Sequence, residues 1–92
     1  MSRIEIKRNP DEKELKELQV EEWPVWTKEQ SEFPWRYDTE EMCYVLEGRV
    51  TVTPDEGSPV EIREGDLVRF PKGMSCTWKV KEPIRKRYHF PG

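Results

Sequence analysis

The side chains able to do chemistry in this sequence are few, and they fall on alternating positions. Glu41 and Cys43 stand two apart in a β-prone run, so on a strand both leave the same face. Phe33, Trp35 and Tyr37 alternate in the same way and share a face. Trp78 follows Cys76 at that spacing, and Lys86 lies on one face with Ile84 and Tyr88. Flat aromatic walls carrying a few polar tips suit a small polar organic ligand. The plainer alternative is that Trp35 and Tyr37 fill a core, as interior side chains of small barrels do. Lysine is mostly a solvated charge, and an inward-pointing Lys86 would need a carboxylate partner. Cys43 and Cys76 match no zinc-finger or redox spacing, and in a reducing compartment they read as two buried thiols acting as small hydrophobes.

The elements that must position these groups are mostly strands. Ile4 and Ile6 alternate with charged neighbours and predict a short N-terminal strand. Asn9-Pro10-Asp11-Glu12 reads as a helix start, with Asn9 as the cap, Pro10 in the first helical position and Glu12 reaching back. Leu15 and Leu18 give that helix one apolar side, and it should lie outside whatever follows. Val25-Trp26-Thr27 and Phe33-Pro34-Trp35-Arg36-Tyr37 read as strands, and Pro34 places the second at an edge or a bulge. Met42 to Leu46, closed by Glu47-Gly48, predicts a hairpin with Val50-Thr51-Val52. Turns follow at Asp55-Glu56-Gly57, Glu64-Gly65-Asp66 and Pro71-Lys72-Gly73. Between and after them, Val60 with Ile62, Leu67 to Phe70, Cys76 to Val80 and Ile84 to Phe90 complete the strands. That spacing, with one short helix, predicts an all-β sandwich or barrel.

Ninety-two residues make a single domain, residues 1–92. Charged residues at 38% against 34% hydrophobic would permit disorder, but four Trp, three Tyr and three Phe are enough to anchor a small core. A net charge of −3 with both signs interspersed argues against a nucleic-acid partner. No apolar stretch approaches the about 20 residues of a membrane span, and Met-Ser-Arg-Ile-Glu-Ile-Lys-Arg lacks an apolar signal core. The expectation is a cytoplasmic protein. Charge runs such as Asp11 to Glu17 and Glu29 to Glu32 are solvated faces.

Glu64-Gly65-Asp66 through Gly73 and Cys76 resembles the second motif of cupins, G-x5-P-x-G-x2-H. Gly65, Pro71 and Gly73 match, and Cys76 replaces the final histidine. Glu41 to Gly48 resembles the end of the first motif, E-x6-G. The two histidines preceding that Glu in metal-binding cupins would fall at Trp35 and Tyr37. The chain from about Leu15 to Tyr88 is similar to small single-domain cupins of the ureidoglycine aminohydrolase type. Trp23-Pro24-Val25-Trp26, Phe33-Pro34-Trp35, Cys43 to Gly48, Phe70 to Gly73 and Pro83 to Lys86 carry that likeness.

The resemblance implies a cupin jelly-roll β-barrel with one short N-terminal helix outside it. It also implies that Glu41, Cys43 and Cys76 converge in the barrel, with the Cys76 thiol near the Glu41 carboxylate and Glu41 as the partner for Lys86. Glu41 and Cys76 are then the candidate catalytic groups, and Trp35, Tyr37, Cys43, Trp78 and Lys86 the candidate ligand contacts. The single histidine, His89, cannot build the usual three-imidazole metal site, and its own role is open. The leading expectation is a protein that binds a small ureido, amino or sugar-acid compound without that site, whether or not it is an enzyme. One alternative is a metal-dependent cupin enzyme with Glu and Cys ligands, zinc or another divalent ion being its cofactor. The other is a non-catalytic dimeric binding module. A domain this small gains from an extra interface, and a homodimer is the expected assembly.

Overall fold

The computed structural model describes residues 3–91. Its strands are β1 (Glu5–Arg8), β2 (Val25–Lys28), β3 (Ser31–Arg36), β4 (Glu41–Pro54), β5 (Val60–Arg63), β6 (Asp66–Phe70) and β7 (Ser75–His89). One α-helix, α1 (Glu12–Glu17), and a 3-10 turn (Val20–Glu22) lie between β1 and β2. All strand pairs are antiparallel.

Two long strands organise everything else. β4 pairs with β6 through residues 41–44 and with β5 through residues 49–52. β7 pairs with β3 through residues 75–80 and with β2 through residues 84–87. β4 and β7 also pair with each other along their length. The result is two layers that share these strands, one running β1-β6-β4-β7-β2 and the other β5-β4-β7-β3. This is the expected all-β jelly roll, and Val45, Val50, Val52, Val68, Phe70 and Ile84 fill the space between its layers.

The hairpin predicted at Glu47-Gly48 is not a hairpin. β4 runs straight through it, and β7 likewise runs through Pro83. The β4–β7 register shifts three times between Val45 and Val50, the mark of a bulged strand that bends from one layer into the other. Gly48 sits at this bend with φ of 99°. A Cβ there would stand 2.2 Å from the Pro83 carbonyl oxygen and 2.7 Å from the Ile84 Cα. Gly48 therefore marks a close approach of two backbones, which a glycine signal in sequence does not separate from a turn. The turns expected around Gly57, Gly65 and Gly73 are present.

The helix start also differs from expectation. Asp11, not Asn9, is the cap, its carboxylate accepting the Glu14 N–H at 2.9 Å. Asn9 has φ of 52° and donates its N–H to the Gly65 carbonyl, so the chain turns there before the helix can begin. Helix α1 buries no residue fully. Leu15, Leu18 and Tyr44 flank a second small core of Val20, Trp23, Met42 and Leu67, on the outer face of the β6–β4–β7 layer. Tyr44 thus faces away from the interior, as its alternation with Cys43 and Val45 requires. Pro34 sits on β3, which pairs only with β7 among the described residues, so the expected edge position is found.

Gly48→Ala should lose about 3 kcal/mol of unfolding free energy, from overpacking of roughly 1–3 kcal/mol and a left-handed backbone cost of about 1–2 kcal/mol. Gly73→Ala has a positive φ too, with nothing within 4 Å of the new methyl, and should lose only the backbone part. Urea denaturation of the two variants measures the difference, and equal losses would remove the close-approach explanation.

Candidate ligand-binding site

Strand alternation delivers one set of side chains to one end of the roll. β3 contributes Phe33 and Trp35, with Tyr37 just beyond its end, and β4 opens with Glu41. β7 contributes Trp78, Lys86 and Tyr88, followed by Phe90, and β2 contributes Trp26. Register places Trp26 opposite Lys86 and Phe33 opposite Trp78, so the strand pairs themselves juxtapose these groups. Together they line a cavity of about 230 Å³ that opens to solvent. Trp35 and Phe90 are half exposed (49% and 51%), whereas Tyr37, Glu41, Trp78 and Lys86 are buried.

Glu41 and Lys86 form an ion pair, Nζ to Oε2 2.8 Å, with side chains 8% and 7% exposed. The ammonium also lies over three rings, with centroids at 4.7 Å for Trp78, 5.0 Å for Trp26 and 5.9 Å for Phe70. A desolvated cation–π contact is worth about 2 kcal/mol, which helps to offset the desolvation of the charge. The rings brace one another: Tyr37 stacks on Phe70 at 4.6 Å, and Trp26 meets Trp78 edge-on at 6.0 Å. Trp78 Nε1 donates to the Tyr37 hydroxyl at 3.1 Å. Burial, reinforced by the Glu41 charge, pushes the Tyr37 phenol far above its ordinary range, so it stays protonated and keeps its own O–H to donate.

The structure brings Trp35, Tyr37, Glu41, Trp78 and Lys86 of the expected site residues together at the cavity, with Glu41 as the partner of Lys86. Of the expected site residues, the two cysteines lie behind the cavity wall and do not line it. Cys43 is fully buried in the main core. The Cys76 thiol is directed at the Trp35 carbonyl oxygen, 3.6 Å away, and the carboxylate that acts on it is that of Asp55. Cys76 pairs with Pro54 and with Trp35, itself a cavity residue, and Glu41, Cys43 and Cys76 all lie close enough to the Tyr37 hydroxyl to act on it. Burial raises the Cys43 thiol to about 11, only partly offset by Lys86, and raises Cys76 to about 11 as well. Both are neutral packing groups at ordinary pH.

These residues do not fit the imidazole-held metal of other cupins. Among the described residues no three His, Cys, Asp or Glu side chains are grouped as a metal ion would need. One oxygen of the Glu41 carboxylate, Oε2, is taken by Lys86. His89 lies outside the cavity, exposed and stacked on Trp23 with ring centroids 5.1 Å apart.

Trp26, Phe33, Tyr88 and Phe90 belong to the wall but were not among the expected ligand contacts. Phe33 and Tyr88 share the faces of Trp35 and Lys86, so alternation could have found them. Trp26 required knowing that β2 pairs with β7, which no local pattern states.

A bent two-layered roll with a side-chain-lined cavity at one end defines the cupin class of domain. The chain belongs to the EutQ-like cupin domain family, whose model matches residues 15–88. Among solved structures, a DUF861 family protein from Thermotoga maritima is 55% identical, with a TM-score of 0.92 over 96% of this chain and 99% of its own. A DUF861 family protein from Pseudomonas syringae is 29% identical over 70% of this chain and 28% of its own, with a TM-score of 0.63. The EutQ protein of Clostridium difficile is 26% identical over 70% of this chain, with a TM-score of 0.63, and the present chain spans 50% of its length. No curated protein matches.

Removing one member of the buried pair leaves the other charge stranded. Glu41→Gln and Lys86→Met should each lose about 3–5 kcal/mol of stability by urea unfolding, and losses below 1 kcal/mol would show that the pair is solvated. The thiols make a separate prediction. Their folded pKa values of about 11 exceed the ordinary 9.0. Their contribution is therefore complete below pH 9, and it is lost as pH rises through 11. The Cys43→Ala/Cys76→Ala variant should lose less stability than the parent between pH 9 and pH 11, and identical alkaline profiles would contradict the assignment.

Proposed function

We propose that this protein binds a small polar organic molecule in the cavity between β2, β3 and β7, with Glu41, Lys86 and Tyr37 as its polar contacts. The buried Lys86–Glu41 pair at the base of an open aromatic cavity is the observation that carries this reading. A buried ion pair is a poor source of stability, and apolar residues of the same volume usually serve a core as well or better. Placing one where a ligand can reach it gives that ligand a fixed donor and a fixed acceptor.

The volume of about 230 Å³ lies below the roughly 300–1,000 Å³ of sites for drug-sized molecules, so the ligand has few heavy atoms. Trp35 and Phe33 offer faces for a planar group. A carboxylate acceptor beside ammonium and phenol donors complements a ureido or amide group, which presents N–H and C=O side by side. Amino and sugar-acid compounds share part of that complementarity. The ureidoglycine aminohydrolase likeness of the sequence points to the same ligand class. Self-association as a homodimer is part of the proposal, supported by the small size of the domain.

A thermal-shift series with N-carbamoylglycine, glycine and gluconate, followed by calorimetry on any compound that acts, tests the reading. N-carbamoylglycine should raise the melting temperature most. Trp35→Ala, half exposed and outside the core, should reduce that shift by at least half while leaving the unliganded melting temperature within a few degrees. No shift with any of the three compounds would contradict the proposal.

A further inference from the structure

Lys86 differs from every other lysine of the chain. The other lysines are all exposed, and Lys86 alone is buried. The residue nevertheless lines a cavity that solvent reaches. Glu41, at 2.8 Å, can accept and return a proton along an existing hydrogen bond. The Tyr37 phenol, protonated and adjoining the same cavity, supplies a further O–H. A desolvated amine, a proton shuttle on it and a phenol donor are the three groups that imine formation requires.

We propose that the Lys86 amine condenses reversibly with the carbonyl carbon of a small aldehyde or 2-oxo acid to form a Schiff base. This rests on the reading that the cavity receives a small organic ligand. In the first step a proton passes from the Lys86 ammonium to the Glu41 carboxylate, leaving a neutral amine beside a carboxylic acid with no net change of charge. The nitrogen lone pair then forms a bond to the carbonyl carbon, and the C=O π electrons move to oxygen. The oxygen gains a proton and the nitrogen loses one, giving a neutral carbinolamine, with the Tyr37 hydroxyl hydrogen-bonded to the developing alkoxide. Glu41 next donates its proton to the departing hydroxyl, which leaves as water, while the nitrogen lone pair forms the C=N bond. The products are a protonated imine, a Glu41 carboxylate and one water, so the exchange needs no oxidant or reductant. The cationic imine occupies the position of the ammonium, facing the same carboxylate and the same Trp26, Trp78 and Phe70 rings. The surroundings that hold the charge of lysine thus hold that of its adduct equally well.

The test is trapping. The intact protein is incubated at neutral pH with pyruvate, and separately with benzaldehyde, in the presence of sodium cyanoborohydride, and modified lysines are located by peptide mass spectrometry. Lys86 should be labelled ahead of all exposed lysines. Lys86→Arg keeps the cation and its carboxylate partner but has no amine to condense, and it should lose the fast label entirely. Glu41→Gln should slow labelling of Lys86 without redirecting it. Labelling confined to exposed lysines, or an unchanged fast phase in Lys86→Arg, overturns the proposal. If the ureido, amino and sugar-acid compounds stabilise the protein while Lys86 stays unlabelled, the covalent step alone is overturned. If they do not stabilise it and Lys86 is unlabelled, the ligand site falls with it.

Discussion

One buried contact, Lys86 to Glu41, sets the terms for the rest of this small protein. Taking two charges out of water costs several kcal/mol for each ion, and their mutual attraction repays it only when geometry and surroundings are favourable. Here the surroundings are aromatic. Trp26, Trp78 and Phe70 turn ring faces or edges toward the ammonium at 4.7–5.9 Å. Those rings are themselves fixed by stacking and by the Trp78–Tyr37 hydrogen bond. Three of the ten aromatic residues thus surround a single cation, and Tyr37 and Phe33 stack on two of those three.

The fold supplies the geometry by bending two strands. Glu41 opens β4 and Lys86 lies near the end of β7, where it pairs with Val45 on the same face of β4 as Glu41, and the two long side chains reach along the antiparallel ladder to meet. A straight ladder would splay the two layers apart. The bulges around Gly48, packed onto the backbone at Pro83, let both strands cross from layer to layer. Asp66, buried and accepting from Arg8 and from the Arg63 N–H, ties β1 to the turn between β5 and β6 on the neighbouring edge.

Period-2 alternation made most of this legible in the sequence. It assigned Phe33, Trp35 and Tyr37 to one face and placed Lys86 with Tyr88. The Lys86–Glu41 pairing came from the cupin likeness, because local pattern cannot join residues on distant strands. The same likeness put Cys76 near the site, where it lies behind the cavity wall and not in it. A motif position carries a backbone location with it, but a thiol is shorter than an imidazole and can satisfy itself on a nearby carbonyl, here that of Trp35. Gly48 and Asn9 were misread for a related reason. Glycine and asparagine both announce an unusual backbone without saying whether the cause is a turn, a bulge or a close approach from elsewhere in the fold. Trp26 stayed hidden because its place in the wall depends wholly on the pairing of β2 with β7.

If the ion pair serves a ligand and not the fold, its complete replacement by apolar residues separates the two roles. Glu41→Leu combined with Lys86→Met removes both charges together and keeps the volume roughly constant. The expected result is stability equal to the parent or higher by about 1–4 kcal/mol in urea unfolding, together with complete loss of N-carbamoylglycine binding by calorimetry. A double variant that is strongly destabilised yet binds as before would show that the pair holds the fold together and that the cavity chemistry lies elsewhere.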